Sequence, residues 1–276
     1  MDPLVSTGWL AGELGAPDLR LVDASWFLDG RDGAARFVEG HIPGAVFLDL
    51  DAVADRDDPL PHMLPPPAQF AEAMGALGIA DGDRIVVYDD SPLRSAARAW
   101  WMLRLMGARH VAILDGGLAK WRAEGRPVER GDAMPAPARF AVLGDATGRV
   151  DLAGMRAAVA HRDQIVDARS PARFRGEEGE PRPGVQPGHI PGAINLHYAR
   201  LFEDDGTWKD RDALAAAFES AGVEIDHPIV TTCGSGVTAA VLAFALHLVG
   251  ARDVSLYDGS WAEWGAHPTT AKAIGA

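Results

Sequence analysis

The second half of this chain replays the first at an interval of about 145 residues. Leu21-Val22-Asp23-Ala24 returns as Ile165-Val166-Asp167-Ala168, and HIPGA occurs at 41–45 and again at 189–193. Ile85-Val86-Val87-Tyr88 is answered by Ile229-Val230-Thr231-Thr232, and the helical runs behind both end in Gly-Ala-Arg, at 107–109 and 250–252. Each half then adds one more apolar run, at 111–114 and 254–257, followed by Asp-Gly and a tryptophan, Trp121 or Trp264. Correspondences in the same order mark a tandem duplication; a solenoid would repeat on a much shorter period.

Short apolar runs alternating with helical patterns predict βαβ units with right-handed crossovers. The fold class expected is therefore α/β, as two tandem domains, each a mostly parallel sheet with helices on both faces. The expected boundaries are 1–130 for the first domain, 131–148 for a linker and 149–276 for the second. The linker reading rests on the prolines, glycines and alanines between Gly125 and Arg149, including Pro127, Pro135 and Pro137. Ligands of such sheets bind beyond the carboxyl ends of the strands.

A net charge of −13 argues against nucleic acid or an anionic membrane as a partner, because both call for a basic face. The N-terminal stretch lacks a basic segment followed by an apolar one, and the most apolar run, 237–249, is too short to span a bilayer. With one cysteine no internal disulfide can form, and a cytoplasmic location is expected. Nine histidines show no metal-ligand spacing such as HExxH, and neither GxGxxG after a strand nor GxxxxGK[ST] occurs, so neither metal nor cofactor is expected.

That cysteine, Cys233, opens the loop CGSGVT between an apolar strand-like run and a helix-like one. Backbone N–H groups and the helix dipole at such a junction favour an anionic sulfur. Gly234 and Gly236 let the amides turn inward, and Val237 and Thr238 begin the helix. The competing reading is a buried structural thiol. In the first half, Asp89 stands where Cys233 stands in the second, so that copy is expected to be inactive.

These residues resemble the tandem rhodanese-like sulfurtransferases, and among them the 3-mercaptopyruvate sulfurtransferases. The resemblance is carried by CGSGVTA at 233–239, the paired HIPGA segments, HMLP at 62–65, LDGGLAKW at 114–121, EPRPGVQPGHIPGA at 180–193 and YDGSWAEW at 257–264. It implies a cysteine persulfide that passes the sulfur of 3-mercaptopyruvate to an acceptor thiol, such as thioredoxin or glutathione, or to cyanide, and releases pyruvate. It also implies a Ser-His-Asp relay, whose matching positions are Ser235, His41 and Asp32, and two carboxylate-binding arginines, Arg173 and Arg182. A guanidinium offers the planar two-pronged donor that a carboxylate requires. The alternative for those arginines is a surface loop in which they pair with Glu177, Glu178 and Glu180, with Arg175 as a decoy. His189 and Trp261 are read as supports of the active loop.

Three rival functions remain. A thiosulfate sulfurtransferase would be expected to carry basic residues after the cysteine, where this chain has Gly234-Ser235-Gly236. A cysteine phosphatase needs an arginine closing the loop, and the next one here is Arg252, beyond the helix. A non-catalytic interaction module fits the Asp89 half better than the Cys233 half.

Overall fold

Runs of buried aliphatic residues become parallel strands in the same order twice over. The computed structural model describes residues 1–144 and 147–275. The first half contains β1 (Leu4–Val5), β2 (Leu19–Asp23), β3 (Ala45–Phe47), β4 (Arg84–Tyr88) and β5 (His110–Leu114). Its helices are α1 (Thr7–Glu13), α2 (Gly33–Glu39), α3 (Leu50–Val53), α4 (Pro67–Ala76), α5 (Ala96–Leu105) and α6 (Gly117–Ala123). The second half contains β6 (Arg149–Val150), β7 (Gln164–Asp167), β8 (Ile194–Asn195), β9 (Ile229–Thr232) and β10 (Val254–Tyr257). Its helices are α7 (Leu152–His161), α8 (Pro171–Arg175), α9 (Arg211–Ser220), α10 (Val237–Val249) and α11 (Ser260–Trp264).

The two sheets share one topology, β1-β5-β4-β2-β3 and β6-β10-β9-β7-β8, with parallel pairing throughout. Side chains alternate across a strand. Leu21, Val86, Tyr88 and Ala112 therefore join Leu10, Phe37, Leu118 and Trp121 in one core, while Ile85 and Val87 point to the opposite face, where α5 packs on β4 and β5. In the second half Ile165, Val230 and Tyr257 pack with Met155 and Ala158 of α7, and α10 covers β9 and β10. Helix α10 is apolar almost all round, and its buried residues run from Val237 to Leu246, as expected of a helix enclosed by its domain. Among the described residues, no helix is long and apolar enough to cross a membrane.

The spatial division is not strictly sequential. One compact unit comprises Met1–Arg56, Leu64–Ala146 and Phe202–Trp208; the other comprises Asp57–Met63, Thr147–Leu201 and Lys209–Ala276. Two short segments thus lie with the half to which they do not belong in sequence. The stretch read as a linker is, over 131–144, laid along the first unit: Ala138 N–H donates to Gly75 O, Leu143 N–H to Met106 O, and the Phe140 ring meets Phe70 edge-on. Asp145 and Ala146, within the expected linker, lie outside the described residues.

Helix α10 positions the loop discussed below, so its packing sets that loop's stability. Phe244 is fully buried at its centre, and Phe244→Ala should cost about 3–5 kcal/mol, read from the denaturant transition of the second unit.

Candidate active site

Strand β9 ends at Thr232, and the chain turns through Cys233 to Gly236 into α10. Gly236, at φ +80°, takes the left-handed conformation that closes this turn, and no side chain caps the helix it opens. The N–H groups of the first turn, Val237 and Thr238 included, therefore have no intrahelical acceptor and face the loop. Cys233 is 2% exposed. The start of α11 anchors the loop from outside: Cys233 N–H donates to Ser260 Oγ (3.3 Å), Trp261 N–H to Cys233 O (2.9 Å) and Ala262 N–H to Gly234 O (2.9 Å). Ser260 carries an uncommon φ of +49°, and its hydroxyl also donates to Tyr257 O (2.9 Å). Trp261 donates its indole N–H to Gln186 O as well.

Arg173 reaches this loop from α8. Ser170 caps that helix on Arg173 N–H, and a Cβ added to Gly234 would lie 3.1 Å from Arg173 Nη2. A side chain at 234 would press on the guanidinium and make it shift by a few tenths of an ångström. Arg173 also pairs through Nη2 with Glu180, which is shared with the buried Arg169 (Nη1 to Oε1, 2.8 Å). Arg175 by contrast forms an exposed pair with Glu177. Arg182, two residues beyond Glu180, is half-buried.

Ser235 is met by a histidine, but not the one expected. His62 Nδ1 lies 3.0 Å from Ser235 Oγ, both residues are buried, and both belong to the second unit. His62 adopts φ +61°. The expected partner, His41, holds its Nδ1 on Phe37 O (2.8 Å) with its ring stacked on Phe37, and His189 does the same with Phe174 O (2.8 Å) and the Phe174 ring. The two HIPGA histidines are thus equivalent turn residues of the repeat. Asp32, the expected acid, is exposed and caps α2 by accepting Ala35 N–H (3.1 Å). Sequence reasoning passed over His62 although HMLP was in view, because its partner lies 173 positions away.

The first unit shows what becomes of the same junction without a thiol. Leu118 N–H donates to Asp89 O (3.0 Å), as Trp261 does to Cys233 O, and Gly117 at φ +56° stands in for Ser260. Asp89 turns its own carboxylate into the ring of amides, accepting Ser91 N–H (3.1 Å) and Ala96 N–H at the start of α5 (2.7 Å). Burial pushes this carboxyl up to about 6 despite those bonds. The small pocket beside it is lined by Phe202 and Trp208 among others: Arg94 stacks over Phe202 (4.7 Å) and Trp208 N–H donates to Asp115 (2.9 Å). Among the described residues, no group of three His, Cys, Asp or Glu side chains could hold a metal ion.

A model of the rhodanese-like domain matches residues 6–124 and 151–267. The chain is 43% identical to human 3-mercaptopyruvate sulfurtransferase over 270 residues, covering 95% of this chain and 91% of that one. It is 40% identical to bovine thiosulfate sulfurtransferase over 271 residues, with the same coverages. The crystal structure of SseA from Escherichia coli, a 3-mercaptopyruvate sulfotransferase, superposes with a TM-score of 0.86 at 41% identity, covering 95% of this chain and all of that one.

Asp23, at the end of β2, is pushed by burial from its ordinary 3.8 to about 6, against the hydrogen bonds of Ser25. A carboxyl raised in this way stabilises the fold below pH 3.8, and that contribution is lost as pH rises through about 6. Asp23→Asn should therefore gain on the parent by about 2 kcal/mol between pH 4.5 and 7.5, measured by urea unfolding. The family model and the curated relatives cover both repeats, and the chain belongs to the rhodanese-like family as a two-domain member.

Proposed function

We propose that the chain is a sulfurtransferase that takes the sulfur of 3-mercaptopyruvate onto Cys233 as a persulfide and passes it to a thiol or cyanide, releasing pyruvate. The observation that carries this reading is the buried Cys233 in its amide-lined turn, with Arg173 resting on Gly234 of the same loop. The relatives named 3-mercaptopyruvate sulfurtransferase support the choice of donor.

In the first half-reaction the Cys233 thiolate attacks the donor sulfur, the carbon–sulfur bond breaks, and its electron pair leaves on pyruvate as the enolate. Arg173, with Arg182, takes the donor carboxylate by charge-assisted hydrogen bonds. Ser235 supplies a hydroxyl beside the reacting atoms, and His62, within hydrogen-bond distance of it, can exchange the proton that the enolate needs. The N–H groups at the start of α10 then hold the charge of the Cys–S–S⁻ terminus. In the second half-reaction the acceptor attacks the outer sulfur and the Cys233 thiolate is regenerated, which makes the scheme ping-pong. A thiol intermediate of this kind suits a reducing compartment such as the cytoplasm, with thioredoxin or glutathione as the acceptor.

Thiosulfate is the competing donor, favoured by the bovine relative. Its two negative charges would gain from cations on the loop, whereas Gly234, Ser235 and Gly236 carry none. With cyanide as acceptor, kcat/KM for 3-mercaptopyruvate should exceed that for thiosulfate by at least about tenfold; equal or reversed values would move the assignment to thiosulfate. Cys233→Ser should abolish turnover and the gain of one sulfur atom that mass spectrometry detects after donor alone is added. Ser235→Ala and His62→Gln should each lower kcat about 10- to 100-fold, while Arg173→Lys mainly raises the donor KM.

A further inference from the structure

We infer that Glu180 is a positioning residue for sulfur transfer, acting through Arg173; the inference rests on the function proposed above. Arg173 has a long, flexible side chain that is 18% exposed, so something must hold its guanidinium over Gly234 before a donor arrives. Glu180 does so from behind. Its carboxylate accepts from Arg173 Nη2 and, at 3.4 Å, from Arg173 Nε. Among the described residues no acceptor takes Arg173 Nη1, which lies 3.7 Å from the Cβ position of Gly234 and is left to a ligand.

Glu180 is itself held. Its side chain is 4% exposed and receives Arg169 Nη1 (2.8 Å), and Arg169 is 1% exposed. Arg169 spends its other donors on both Asp167 oxygens (Nε 3.1 Å to each, Nη2 2.7 Å to Oδ2) and on Gly188 O (2.9 Å). Burial works against the Arg169 charge, but Asp167 and Glu180 outweigh it and hold the guanidinium above its ordinary range. Its planar group lies 4.6 Å from the centre of the Trp261 ring, and Trp261 N–H is bonded to Cys233 O. Two arginines and two carboxylates thus cancel their charges in a closed quartet that runs from the end of β7 to the nucleophile's own loop. Only Arg173 opens outward. Fixing it in advance spares the donor the entropy of ordering it.

In a ping-pong scheme kcat/KM for the donor reports the first half-reaction alone, and kcat/KM for cyanide reports the second. Glu180→Gln should lower the donor value at least about tenfold and leave the cyanide value within about twofold. In the Arg173→Gln background, Glu180→Gln should change the donor value less than about twofold, because the two act through one guanidinium. Glu180→Asp keeps the negative charge between the two arginines but shortens the carboxylate's reach to Arg173, so it should lower the donor value at least about threefold, again sparing cyanide; this arm decides the matter if the glutamine variant does not fold. Parallel losses for donor and cyanide, additive losses in the double variant, or an aspartate variant equal to the parent would each overturn the inference. Absence of sulfur transfer from 3-mercaptopyruvate by the parent chain would instead overturn the proposed function.

Discussion

A helix that begins inside a protein leaves a set of N–H groups in need of an acceptor, and this chain solves that need in two ways. Where β4 gives way to α5, the protein supplies the acceptor itself, in the carboxylate of Asp89. Where β9 gives way to α10, no side chain caps the helix, and Cys233 is the group placed at its mouth. The contrast turns one inherited junction into a closed site and an open one. The supports are matched: a residue of positive φ at 117 or 260, followed by an N–H bonded to the carbonyl of Asp89 or Cys233.

The duplication was legible because buried parallel strands must be written in apolar residues, and Leu21-Val22 and Ile165-Val166 leave little else for the chain to do. The Cys233 loop was legible because its glycines announce the left-handed turn that Gly236 makes. Arg173 was picked out by resemblance, and the loop packing places it on Gly234. His62 was not picked out, since nothing local distinguishes a histidine that meets Ser235 across 173 positions from one that satisfies a turn. His41 was expected from the resemblance, yet the HIPGA pattern recurs at His189 with the same stacking on a phenylalanine and the same bond to that phenylalanine's carbonyl. A feature present in both repeats reports the fold; one present in a single repeat is the better pointer to chemistry.

Charge is handled in the same economical way. In a chain of net charge −13, Arg169 and Arg173 are each paired with buried carboxylates. The glutamates at 177, 178 and 180 look alike in sequence, but Glu177 meets Arg175 in solvent, whereas the Glu180 side chain is buried between Arg169 and Arg173. An exposed pair contributes little. A buried one that lost a partner would leave an uncompensated charge, so its geometry is enforced.

The placing of Asp57–Met63 with the second unit and Phe202–Trp208 with the first has a consequence for any attempt to separate the halves. A chain cut at its midpoint would leave His62 on one polypeptide and Ser235 on the other. Neither half, taken alone as a sequence, would carry every segment of its own compact unit.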